Sequence, residues 1–245
     1  YRHCLAHTNG EHTLEETDQL ATRTTAVGRW IFQRRSLLPI PVIAALLAMP
    51  ADSLAVWPST IVGILSISTG EALRLWAVRH IGVVSRTRAS ILGPLITGGP
   101  YQVVRNPMYV GNLQLWLGIT YLFGFGWGVP MTVGLFGASY QLMALWEEEC
   151  LTIQYGESYG VYEREVRRWL PRCDRIAKAW SMQASYPWRA TLYSERTTLG
   201  SLVLVATIFS FKGSGSILYL GVGLLALVGL WLLTRASDPR VRSRG

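Results

Sequence analysis

The sequence predicts an all-α fold, a polytopic transmembrane helical bundle of about six spans. Three observations predict it: a shortage of charge, six apolar segments, and arginines gathered at the segments' ends. Charged residues make up 16% of the 245, and hydrophobic residues 50%. An ordinary soluble domain carries about 25% charged residues. The deficit is what a bilayer demands, because a charge at the centre of a spanning helix costs about 2.5–3.5 kcal/mol on insertion scales.

Taken in order, residues 1–36 form a polar N-terminal arm. The stretch from Glu11 to Arg35 has helix-forming character and ends in Arg29, Arg34 and Arg35. His3, Cys4, His7 and His12 lie close together, but their spacing fits no standard zinc pattern, so no metal site is expected. The apolar segments run from about Leu37 to Trp57, Pro58 to Val78, Tyr109 to Trp127, Pro130 to Trp146, Leu199 to Phe211 and Ile217 to Thr234. The fifth is short against the 17–25 residues, roughly, that a span needs. The organisation expected is therefore a membrane core at 37–172, an interfacial connector at 173–198, and a C-terminal hairpin with a basic tail at 199–245.

The connections set the orientation. The short loops at 51–57, 123–130 and 212–216 carry only Asp52 and Lys212, while 79–105, 147–198 and 235–245 hold most of the arginines. The positive-inside rule then places both termini and both long connections in the cytoplasm. The net charge of +8 comes almost wholly from arginine at segment ends. It reads as membrane anchoring, and nucleic-acid binding is not expected. Three cysteines, Cys4, Cys150 and Cys173, give no CxxC pair and no disulfide framework. Glu71 and Arg74, three residues apart inside the second segment, read either as a functional pair or as a mutual ion pair facing the bundle.

Two stretches carry more special residues than loops need. The first, Gly98 to Gly111, combines a tight turn, tyrosines, Arg105 and the carboxamide of Asn106. The second puts Glu147, Glu148 and Glu149 at the end of the fourth segment, and continues as an amphipathic stripe of Leu151, Tyr155, Tyr159, Tyr162, Val166 and Trp169. Gly156 and Gly160 weaken that stripe as one helix, and Pro171 ends it. Together the stretches would build a polar cytoplasmic pocket for a charged, adenine-bearing ligand. Taken singly, the residues have plainer readings: proline helix caps, a headgroup-anchoring Arg105, and a solvated acidic helix end. No GxGxxG follows a predicted strand, so a Rossmann-type cofactor site is not indicated. The glycines from Gly221 to Gly229 are better explained by helix packing.

The pattern GPYxxVRNPMYVG, followed after about 35 residues by EExxLxxxYGxxYxxYxxxVxRWLP, resembles the isoprenylcysteine carboxyl methyltransferase and phospholipid methyltransferase superfamily. The resemblance covers roughly residues 69–172. It implies a membrane enzyme that uses S-adenosylmethionine on a lipid-like acceptor drawn from the bilayer, such as a phospholipid headgroup amine. By position it implies cofactor contacts at Gly93, Pro94, Leu95, Ile96, Tyr101, Asn106, Pro107, Met108, Tyr109 and Glu147, with Arg86 aligning loosely. Arg105 and Glu148 would orient the acceptor as catalytic residues.

Two positions depart from the pattern. Asn106 replaces the family's common histidine, which removes a group that titrates near neutrality. Met143 stands where the prenylcysteine enzymes carry a substrate arginine, so a carboxylate substrate would lose its charged partner. The bacterial lipid-methyltransferase branch is the nearer likeness. Two rival readings remain open. The YGxxYxxYxxxV element with Cys150 also resembles membrane sterol reductases, which use NADPH. The other rival is a non-catalytic membrane partner that keeps a degenerate methyltransferase core.

Overall fold

The computed structural model describes residues 18–48, 57–82, 94–124 and 128–235. The His3, Cys4, His7 and His12 group, Arg86, Gly93 and the basic tail lie outside the described residues. Among those described, all regular structure is helical: α1 (Asp18–Arg34), α2 (Pro39–Ala48), α3 (Trp57–Ile81), a 3-10 turn (Gly99–Gln102), α4 (Pro107–Leu122), α5 (Gly128–Thr132), a π-helical stretch (Val133–Gly137), α6 (Ala138–Tyr155), α7 (Glu157–Glu165), α8 (Ile176–Trp180), α9 (Trp188–Ser214) and α10 (Leu218–Arg235).

Among the described residues, the apolar segments fall mainly on helix. Two helices are long and apolar enough to cross a membrane, Pro58–Ile81 and Trp188–Ser214, and Leu218–Thr234 is apolar but shorter. The second of these corrects the expectation of a short fifth segment. The helix starts eleven residues earlier, at Trp188, inside the stretch read as an interfacial connector. At about 1.5 Å per residue it runs roughly 40 Å, beyond the 30 Å or so of a hydrocarbon core. Large aliphatic side chains stay exposed along these helices, among them Ile64, Leu65, Leu225 and Leu233. A solvent of water would oppose such a surface, whereas lipid accommodates it.

The tightest packing joins α3 to α4, and glycine spacing explains it. Gly63 and Gly70 lie seven residues apart on α3, as do Gly111 and Gly118 on α4. A Cβ on Gly70 would meet the Gly111 carbonyl at 2.8 Å, and one on Gly118 would meet the Gly63 carbonyl at 2.7 Å. Small residues of this kind let two backbones approach where no hydrophobic effect drives them together. The Ser66 hydroxyl, donating to the Gln114 carbonyl at 2.8 Å, ties the same face.

Helix α1 belongs to the core rather than to a separate arm. Its Gly28 abuts the Leu142 backbone of α6 so closely that a Cβ would lie 2.2 Å from that carbonyl oxygen. Phe32 is buried against Trp146, with ring centroids 4.8 Å apart. The amphipathic stripe after Glu147 is also broken where glycine permits it. Gly156 adopts φ +51, which ends α6 and turns the chain into α7.

Candidate active site

The two motif stretches meet at the ends of α3, α4 and α6. Gly99 takes φ +59 and leaves room for the His80 ring, which a Cβ there would strike at 2.3 Å. The turn that follows presents Tyr101. Its carbonyl accepts a hydrogen bond from the Tyr162 hydroxyl at 2.8 Å. Two backbone hydrogen bonds then clamp the stretches together, Arg105 N–H to the Arg167 carbonyl at 2.9 Å and Arg172 N–H to the Val103 carbonyl at 2.8 Å. Pro107 opens α4 at its first turn, where a missing N–H does no harm.

A cavity of about 540 Å³ opens between these elements. Its walls include Pro94, Leu95, Ile96, Tyr101, Asn106, Pro107, Met108, Tyr109 and Glu147, all expected from the sequence as cofactor contacts. Arg105 and Glu148, expected to orient the acceptor, line it as well. Gly93 lies outside the described residues.

The two glutamates differ in surroundings. Glu148 is grasped by Arg168, whose Nε lies 2.9 and 3.0 Å from its two oxygens and whose Nη2 lies 2.6 Å from Oε2. Arg105 stands 3.7 Å from the same carboxylate while bonding Glu163 at 2.6 Å. Burial works against the Arg105 charge, but Glu163 and Glu148 outweigh it and hold the guanidinium firmly protonated. The Asn106 carboxamide leans on this clasp, with Nδ2 3.5 Å from both Glu148 Oε1 and the Arg168 carbonyl.

Glu147 has no such bidentate clasp. Burial pushes its carboxyl up to about 7, a rise moderated by the Tyr109 hydrogen bond and the Arg35 charge and reinforced by Glu148. The Tyr109 ring stacks on Tyr140 at 5.2 Å, which fixes the phenol that meets Glu147. The Tyr101 hydroxyl is buried without a hydrogen-bond partner. Its acidity is suppressed by burial and by Tyr162 and Glu147, with Arg74 opposing, so it stays a neutral donor.

Several cavity residues escaped the sequence reading. Phe32, Arg35 and Ser36 arrive from the end of α1, and Glu195 and Thr197 from α9. Arg74 does pair with Glu71, at 3.5 Å, but its closer partner is the fully buried Glu195, and it also donates to Asn112 and Thr198. The nearest signal was an acidic residue inside a helix that proves to be apolar beyond it. Met143 and Cys150 are both buried in the core and do not line the cavity.

This arrangement defines a helical protein with membrane-length spans and a ligand-sized cavity walled by tyrosine, arginine and glutamate. Residues 58–158, about two fifths of the chain, match the model of the phospholipid methyltransferase family, in agreement with the superfamily that the two motifs resemble. The matched segment runs from α3 into α7. Helices α1, α2, α8, α9 and α10 lie outside it. Comparison with curated proteins and with solved structures gave no match.

Proposed function

We propose that the protein is an integral membrane methyltransferase that moves a methyl group from S-adenosylmethionine to a lipophilic acceptor taken from the bilayer. One observation carries the reading. Residues singled out from two motifs, separated by about 35 positions in sequence, line a single cavity inside and beside a methyltransferase family segment. The volume is within the usual range for small-ligand pockets, about 300–1,000 Å³.

The residues present suit such a cofactor. Tyr101 and Tyr109 offer aromatic faces, Glu147 an acceptor for hydroxyl or ammonium groups, and the Tyr101 hydroxyl a neutral donor. When bound, the cofactor supplies an activated methyl group. What the chain adds is alignment and exclusion of water around an in-line displacement. Glu148, tied to Arg168 and Arg105, fixes the floor on which an acceptor headgroup rests. For an amine acceptor, a carboxylate of the cavity takes the proton, directly or through water. The cavity is expected to face the cytoplasm in a bundle of about six spans, by the placement of arginines.

Calorimetry with S-adenosylhomocysteine on detergent-purified protein tests this, with NADPH as the comparison. Micromolar binding of the adenosyl compound that is lost in E147Q and Y109F supports the reading. Binding of NADPH alone would replace it with the reductase reading, and binding of neither would leave a non-catalytic membrane partner.

A further inference from the structure

Helix α9 lies wholly outside the family segment, yet it carries part of the cavity wall. Its Glu195 and Thr197 line the cavity beside Arg74 of α3 and Asn112 of α4. Three helices meet there in one polar cluster. Arg74 donates through Nη1 to Asn112 Oδ1 and through Nη2 to Glu195 Oε2, and Nη2 also lies 3.1 Å from the Thr198 hydroxyl. Glu71 Oε2 stands 3.5 Å from Arg74 Nε. Glu71, Arg74 and Glu195 are all more than nine-tenths buried. The Tyr101 hydroxyl, buried with no hydrogen-bond partner, belongs to the same cavity.

The charges of the cluster decide what this wall accepts. One guanidinium faces two carboxylates, so the formal charge is −1, or zero if one carboxylate holds a proton. In neither state is it positive. A guanidinium fork is the usual partner of a carboxylate or phosphate, but here Glu195 already occupies it. A ligand anion brought to this wall would meet a like charge away from water. A hydroxyl or amine group would instead donate to carboxylate oxygens. We infer that Glu195 is a specificity-determining residue, set into the cavity by α9 to refuse anionic acceptor groups and admit those that donate a hydrogen bond. The inference rests on the proposed function in taking this cavity as the place where the acceptor binds.

Octanoate, octylamine and octanol share one chain and differ in head group. Their binding to detergent-purified protein is measured by equilibrium dialysis at neutral pH in the cold, with protein-free micelles as the blank. The native protein is expected to bind octylamine and octanol roughly tenfold more tightly than octanoate. E195Q should gain roughly tenfold in octanoate affinity, whereas E195D keeps the charge and should rank the probes as the native protein does. R74Q leaves both carboxylates in place, so it should still refuse octanoate and favour octylamine further. It decides the matter even if E195Q does not fold. A merely structural role for Glu195 would weaken all three probes together and leave their ranking unchanged. That result, or native binding of octanoate as tight as that of octylamine, would overturn the inference. Calorimetry with S-adenosylhomocysteine on the same preparation separates the two readings. No adenosyl binding beside an intact head-group ranking would fail the methyltransferase reading alone, and adenosyl binding beside a flat ranking would fail only the role of Glu195.

Discussion

Replacing Glu195 with glutamine removes the charge that α9 brings to Arg74. Glu195 has 0% of its surface exposed and Arg74 6%, so water cannot compensate the guanidinium left behind. Breaking a buried pair by removing one partner costs about 3–5 kcal/mol. The Glu71 carboxylate remains 3.5 Å from Arg74 Nε and takes up part of the charge. The lower end, about 3 kcal/mol, is therefore expected for E195Q. For a chain of this size each kcal/mol moves Tm by about 2–4 °C, giving a fall of roughly 6–12 °C. Differential scanning fluorimetry in detergent reads this directly. E71Q should fall less, because the closer partner of Arg74 survives. Replacing all three by apolar residues, E71L/R74M/E195L, should recover most of the loss, since a well-packed apolar substitute for a buried ion cluster is often neutral or better. A shift below about 2 °C in E195Q would refute the claim that Arg74 depends on Glu195.

Two further outcomes follow from features of the packing and the cavity. G111A should lose about 1–3 kcal/mol, because its Cβ would lie 2.8 Å from the Gly70 carbonyl and 2.6 Å from Arg74 Cγ, whereas G137A, with nothing within 4 Å, should unfold near the native temperature; chemical denaturation in detergent compares them. If bound adenosyl ligand selects the Glu147 carboxylate, its affinity falls as pH drops through about 7, by roughly tenfold between pH 8 and pH 6, and calorimetry on the native protein that gave a flat profile would refute this.

The parts of the fold legible in the sequence were those written in short-range signals. Among the described residues the apolar runs fall mainly on helix, and the two motifs marked Tyr101, Asn106, Pro107, Met108, Tyr109 and Glu147 of the cavity wall, because each motif gathers its residues within a few turns. The extent of α9 was not legible, since Arg189, Glu195 and Arg196 dilute the apolar signal of its first turns. Nor was the partner of Arg74, because 121 residues separate it from Glu195 and no local period links them. The Glu71–Arg74 spacing pointed to the nearer but weaker half of that cluster. Arg35 was read as one of several anchors before the first span, since nothing in the polar arm announces that Phe32 turns inward. The difference between Glu147 and Glu148 was also hidden. Adjacent residues on a helix point about 100° apart, and only the arrival of Arg168 shows which one is clasped.

The pair of backbone hydrogen bonds joining Val103 and Arg105 to Arg172 and Arg167 turns everything between them into a closed circuit. The outgoing arm is α4, and the returning arm is α5, the π-helical stretch, α6 and α7. A change in the height of one arm must therefore be met by the other. Four residues added to α4 alone would lift the far end of the circuit by about one helical turn, 5.4 Å, and part the latch or strain it. The same insertion mirrored in α6 would leave the latch shut and simply make the circuit taller. Length changes in this circuit are thus expected to be tolerated only when made in pairs.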